Sequence, residues 1–141
     1  MDKSQHLIVP IASGALNTTY CATGYIIPIR LDEGHLWYIE DAYICAGTNV
    51  AAAANSPQFT LADSSGNTIA SLNPSATAIT ATGTTLASFS SAYRMVDCYS
   101  AEGYIKLTVT NSGSSSAPVN LSLHLVIKDV RPGTAAGEQT P

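Results

Sequence analysis

The feature that most constrains this chain is the alternation between Val119 and Lys128. Val119, Leu121, Leu123, Leu125 and Ile127 interleave with Asn120, Ser122, His124 and Lys128, leaving Val126 as the one apolar residue on the polar side. Successive side chains of a strand point to opposite faces, so five apolar groups at period two define a half-buried strand. Residues 104–110 repeat the pattern, with Ile105, Leu107 and Val109 facing in and Lys106, Thr108 and Thr110 facing out. No long window carries the apolar spacing of an amphipathic helix, whereas Thr, Val, Ile, Tyr and Gly recur throughout. The chain reads as all-β.

Turn chemistry cuts it into about nine or ten short strands, the spacing of a β-sandwich or barrel. Asp32-Glu33-Gly34 predicts a hairpin between residues 25–31 and 35–46, and Ser64-Ser65-Gly66 one between 58–63 and 67–72. Thr82-Gly83 predicts a weaker hairpin between 76–81 and 84–88, and the polar loop 111–118 predicts that 104–110 and 119–128 pair directly. Residues 94–99 add a short strand, and 7–12 another. In strand 35–46, strict alternation sets Leu36, Tyr38, Ala42 and Ile44 against His35, Trp37, Ile39 and Tyr43. Both faces carry large apolar groups, so this strand is either central in a sandwich or part of an interface. Residues 1–15 read as an extended N-terminal arm, 16–130 as the β-sandwich domain and 131–141 as a flexible tail.

Composition narrows the function. Only 16 of 141 residues are charged, while Ala, Ser, Thr and Gly together number 61, so the surface is covered by small side chains and hydroxyls suited to close, dry packing. Net charge is −4 and the six basic residues are scattered, which leaves no electrostatic footprint for nucleic acid. The polar start and the short apolar run 7–12 fit no signal peptide, and no run is long enough to span a membrane, so a cytoplasmically made chain is expected. Cys21, Cys45 and Cys98 match no redox or zinc spacing and read as buried thiols.

No catalytic constellation emerges. There is no G-x-S-x-G nucleophile turn; of the adjacent carboxylates, Glu40–Asp41 are strand neighbours that point to opposite faces and Asp32–Glu33 belong to a turn. His6, His35 and His124 lie on the arm, at a strand start and on the outer side of the last strand, positions that chance explains. Asp63-Ser64-Ser65-Gly66-Asn67 lacks the distal ligands of a calcium loop. The expectation is a protein that is not an enzyme and uses no cofactor or metal. Trp37 and Tyr43, on one face by strict alternation, are the best aromatic platform, read as packing before sugar stacking.

From Tyr25 to Val130 the layout resembles the small β-rich head-decoration (cement) proteins of tailed bacteriophages. Four pieces carry the resemblance: a short apolar arm and strand, the strand Gly34-His35-Leu36-Trp37-Tyr38-Ile39-Glu40-Asp41-Ala42-Tyr43-Ile44 before an alanine-rich loop, the hairpin from Phe59 to Ala70, and Gly103 to Gly113 followed by a Ser/Ala/Pro loop and a long last strand. The resemblance implies a single jelly-roll-like antiparallel β-sandwich, often trimeric, that binds the outer capsid surface and bridges copies of the major capsid protein. Leu7, Ile8, Val9, Pro10 and Ile11 would then be a capsid-binding arm, and Trp37, Ile39 and Tyr43 a subunit interface. On that reading the arm is dispensable for folding, and the protein resides on the virion. The alternative is a carbohydrate- or receptor-binding β-sandwich of a phage fibre or tail, using Trp37 and Tyr43.

Overall fold

The structure, a computed structural model, describes residues 4–15, 24–47, 49, 57–73, 78–98, 104–110 and 119–130. Among them are nine strands and no helix: β1 (Ser4–Ala15), β2 (Tyr25–Arg30), β3 (Leu36–Cys45), β4 (Gln58–Asp63), β5 (Thr68–Leu72), β6 (Thr84–Thr85), β7 (Met95–Asp97), β8 (Tyr104–Thr110) and β9 (Val119–Asp129). They form two antiparallel sheets packed as a β-sandwich: one in the order β1-β9-β3-β6, with β7 also on β3, the other β2-β8-β4-β5. Cys21, the alanine-rich stretch 51–54, the loop 111–118 and the tail 131–141 lie outside the described residues.

The alternations read from the sequence hold in the last two strands. Leu121, Leu123, Leu125 and Ile127 of β9 face Ile105, Leu107 and Val109 of β8 across one core, completed by Phe59, Leu61 and Ile69. Val126 stays on the outer side, half-buried. Burying each of these aliphatic side chains contributes about 1.5–3 kcal/mol relative to exposure.

The predicted hairpins divide. β4 and β5 pair directly. Their turn is held by Asp63, whose Oδ1 accepts the amides of Ser65 (3.0 Å) and Asn67 (2.8 Å) while Gly66 takes a φ of +94°. Residues 25–31 and 35–46 do not form a hairpin: β2 pairs β8 and β3 pairs β9, so the turn at Gly34 (φ +82°) carries the chain from one sheet to the other. β8 and β9 likewise lie in different sheets. The reason is common to both cases. Each strand has one apolar face, and the partner that buries it sits across the sandwich rather than alongside. At Thr82-Gly83 the described residues form a tight turn instead of a hairpin, because Thr84 Oγ1 accepts from the Thr80 amide (3.1 Å) and donates to the Ala78 carbonyl (2.8 Å), and Thr84–Thr85 pairs with β3.

Residues 4–15, expected as an arm, are strand β1, paired with β9 from Ser4↔Lys128 to Ala15↔Val119. Ile11 is buried, and Leu7 and Val9 pack against the core. The segment is extended, but it is part of the sheet.

β3 departs from strict alternation at one point. A β-bulge between Ile39 and Asp41 inserts Glu40, and past it the two faces exchange. Trp37, Ile39, Ala42 and Ile44 therefore all point into the core, and Tyr38, Tyr43 and Cys45 lie on the outer side. Arg94 holds the bulge: its guanidinium donates to the carbonyls of Ile39 (2.9 and 2.8 Å) and Glu40 (2.8 Å) and stacks over Tyr38 and Phe89. Carbonyls that the bulge removes from the ladder thus keep a charged donor.

Candidate functional site

The two long sides of the sandwich differ. On one, residues 84–90 lace the sheets together. Thr84 and Thr85 pair with β3, the Leu86 amide donates to the Ala42 carbonyl (2.8 Å), and Ala87 exchanges amide–carbonyl bonds with Ser71 of β5 (2.8 and 3.1 Å). The Ser90 amide then bonds the Ile69 carbonyl at 2.8 Å. On the other side β1 and β2 end their sheets, and no strand pairing joins them among the described residues.

Large apolar side chains are exposed there, as Tyr93 (41%) and Met95 (45%) are where the lacing segment runs on into β7. Ile8 of β1 is 61% exposed, and Ile26 and Tyr25 of β2 are 54% and 38% exposed. Each edge also contains a proline, Pro10 and Pro28, and β1 has register shifts after Pro10. Pro and bulges on an edge disfavour uncontrolled strand addition, so side chains rather than free backbone are the larger offering here.

The predicted site residues fall on both sides of the wall. Of the predicted capsid-binding run, Ile8 and Pro10 point to solvent while Leu7, Val9 and Ile11 pack inward. Of the predicted interface, Trp37 and Ile39 are 1% and 0% exposed, with the Trp37 indole N–H donating to the Asp32 carbonyl at 3.0 Å. Residues buried inside one chain cannot line a contact between chains, so that assignment is corrected for both; Tyr43 alone stays half-exposed on the outer face. The bulge also separates Trp37 from Tyr43, and the aromatic platform they were to share is not formed.

Tyr43 belongs instead to a cluster that chance placement did not anticipate. In the β1–β9 register His6 is opposite Val126 and Ile8 is opposite His124, which makes the two histidines diagonal neighbours on the outer face. His6 Nε2 lies 2.9 Å from His124 Nδ1. The Tyr43 ring stacks on His124 at 4.9 Å between centroids, and its hydroxyl is 3.3 Å from His6 Nε2. The second nitrogen of His124 is 3.1 Å from Ser122 Oγ. Burial, and then the charge of His6, push the His124 pKa below the ordinary histidine value. Gly83 braces the cluster: a Cβ there would come within 2.6 Å of the Tyr43 ring. At the margin, the Ser4 hydroxyl bonds the Glu40 carboxylate.

His35 sits apart, with Nδ1 at 2.7 Å from Asp129. Cys45 is half-buried on the outer face and Cys98 is buried; both are free thiols whose pKa burial raises, with Asp97 adding to the effect at Cys98. A raised pKa keeps them protonated and unreactive. Asp63 spends both carboxylate oxygens on its own turn, Oδ2 accepting from Asn67 Nδ2 at 3.0 Å.

Comparison with the models of known protein families, with curated proteins and with solved structures finds no match.

Proposed function

We propose that this chain is a structural virion protein, a capsid decoration (cement) protein that binds the outer capsid surface and stabilises the head by bridging coat subunits. The observation that carries the reading is the asymmetry of the sandwich: one long side is laced shut through Ser71 and Ala87, while the other presents Ile8, Tyr25 and Ile26 to solvent. Exposed apolar groups on the two edge strands of a low-charge domain favour a partner surface. The strand pairing supports the same reading. β1 with β9, β2 with β8, β3 with β6 and β4 with β5 form a nested hairpin, the way a jelly roll is wound, and jelly rolls recur in capsid and lectin domains. The partner is the major capsid protein, and the working oligomer is a homotrimer. Many copies acting together make weak individual contacts sufficient.

The test is to add the purified full-length chain to expanded, undecorated heads of the phage that encodes it. Saturable co-sedimentation and a higher temperature of head disruption are expected. Absence of both overturns the reading.

A further inference from the structure

His6 and His124 are 118 residues apart in the chain and meet only through the β1–β9 register. Their facing nitrogens are 2.9 Å apart, and the Tyr43 hydroxyl approaches the same His6 nitrogen at 3.3 Å. Three strands thus bring three polar atoms together on an exposed face, with His124 Nδ1 and the Tyr43 hydroxyl both within 3.3 Å of His6 Nε2. The tautomer of His124 that donates Nε2–H to Ser122 Oγ turns its Nδ1 lone pair toward His6. This is the outer support that metal-bound imidazoles ordinarily receive from a polar neighbour. The His6 ring presents a second lone pair when its own proton rests on Nδ1.

The spacing selects a geometry. With metal–nitrogen bonds of about 2.0–2.1 Å, two imidazoles at a right angle have nitrogens about 2.8–3.0 Å apart, and at a tetrahedral angle about 3.3–3.4 Å. The observed 2.9 Å is the length of a hydrogen bond between the rings and falls within the right-angle range, so a right-angle chelate needs little movement of either ring. The geometry points to a site for a divalent transition-metal ion of tetragonal preference, the Ni(II) and Cu(II) class, ligated by His6 Nε2 and His124 Nδ1 with Tyr43 alongside and the remaining positions open to water. No group of three or more His, Cys, Asp or Glu among the described residues is arranged to hold a metal, so the site is built on the two imidazoles. A bound ion would clasp β1 to β9, beside the side of the sandwich where Ile8 is exposed.

The experiment is calorimetric titration of the full-length, chelator-treated protein with NiCl2, chosen because Ni(II) does not oxidise thiols. One saturable event per chain is expected, lost in His6→Ala and in His124→Gln and retained in His35→Ala. Ser122→Ala, which removes only the outer support, is expected to weaken binding about 10- to 100-fold. MgCl2 should give no event. His6 is exposed, so His6→Ala decides the matter even if His124→Gln does not fold. No saturable uptake by the wild type, or equal uptake by His6→Ala, overturns the proposal.

Discussion

His6 Nε2 lies 2.9 Å from His124 Nδ1, so β1 and β9 are joined on their outer face by two titratable rings as well as by their ladder. The pair makes the attachment of β1 sensitive to pH. His124 is held below its ordinary value of 6.5 by burial and by His6, so between its folded-state pKa and 6.5 the unfolded chain binds more protons than the folded one. Stability from this group is therefore complete above 6.5 and is lost as pH falls through the folded value. The other groups around the pair, Glu40, Tyr43 and Cys45 on β3 and Lys128 on β9, remain in His6→Ala, which removes only the histidine–histidine part. Urea midpoints measured across this window are expected to fall with pH in the wild type and to fall less in His6→Ala. Equal slopes would contradict the coupling.

Deleting residues 1–12 is expected to destabilise the domain, in contrast to an arm that could be removed freely. The deletion takes away buried Ile11 and the packing of Leu7 and Val9, and it uncovers one edge of β9. One fully buried isoleucine alone contributes about 1.5–3 kcal/mol, and the whole stability of a domain is about 5–15 kcal/mol. A melting temperature unchanged by the deletion would show that β1 is not integral to the sheet.

Gly83→Ala is expected to disturb the outer face more than the core. Its φ of +116° already disfavours a side chain, and the new methyl would meet the Tyr43 ring at 2.6 Å. A loss of about 1–3 kcal/mol, together with displacement of the Tyr43 and His124 ring resonances, is the expected result. Unmoved rings would mean that Gly83 does not brace them.

Light scattering across a wide concentration range is expected to give three times the 14.6 kDa chain mass. With Trp37 and Ile39 inside the chain, Tyr43 is the one candidate of the three left to line such an interface, so Tyr43→Asp is expected to shift the mass toward one chain. A monomer at every concentration would remove the trimer from the reading.

Much of the sandwich was legible in the sequence, because β8 and β9 each bury one face of a strict alternation and β4 and β5 flank a turn with its own carboxylate cap, Asp63. The connections were not. Asp32-Glu33-Gly34 announces that the chain turns, but a turn is the same locally whether the next strand lies alongside or across the core. Nor was the face of Tyr43 legible, since one inserted residue at Glu40 exchanges every side chain after it; the adjacent carboxylates Glu40-Asp41 inside an apolar strand were the available signal. The His6–His124 pair is a product of register between strands 118 residues apart, which no local pattern encodes. The open side likewise depends on strand order, and Tyr25 and Ile26 drew no notice in the sequence because nothing local marks β2 as an edge.

The most direct measurement compares head binding by the wild type and by the double variant Ile8→Asp, Ile26→Asp. Both side chains are more than half exposed, so the variant is expected to fold with a melting temperature close to the wild type. Co-sedimentation with undecorated heads should be saturable for the wild type and lost for the variant. Equal binding by a folded variant would contradict attachment through the open β1–β2 side.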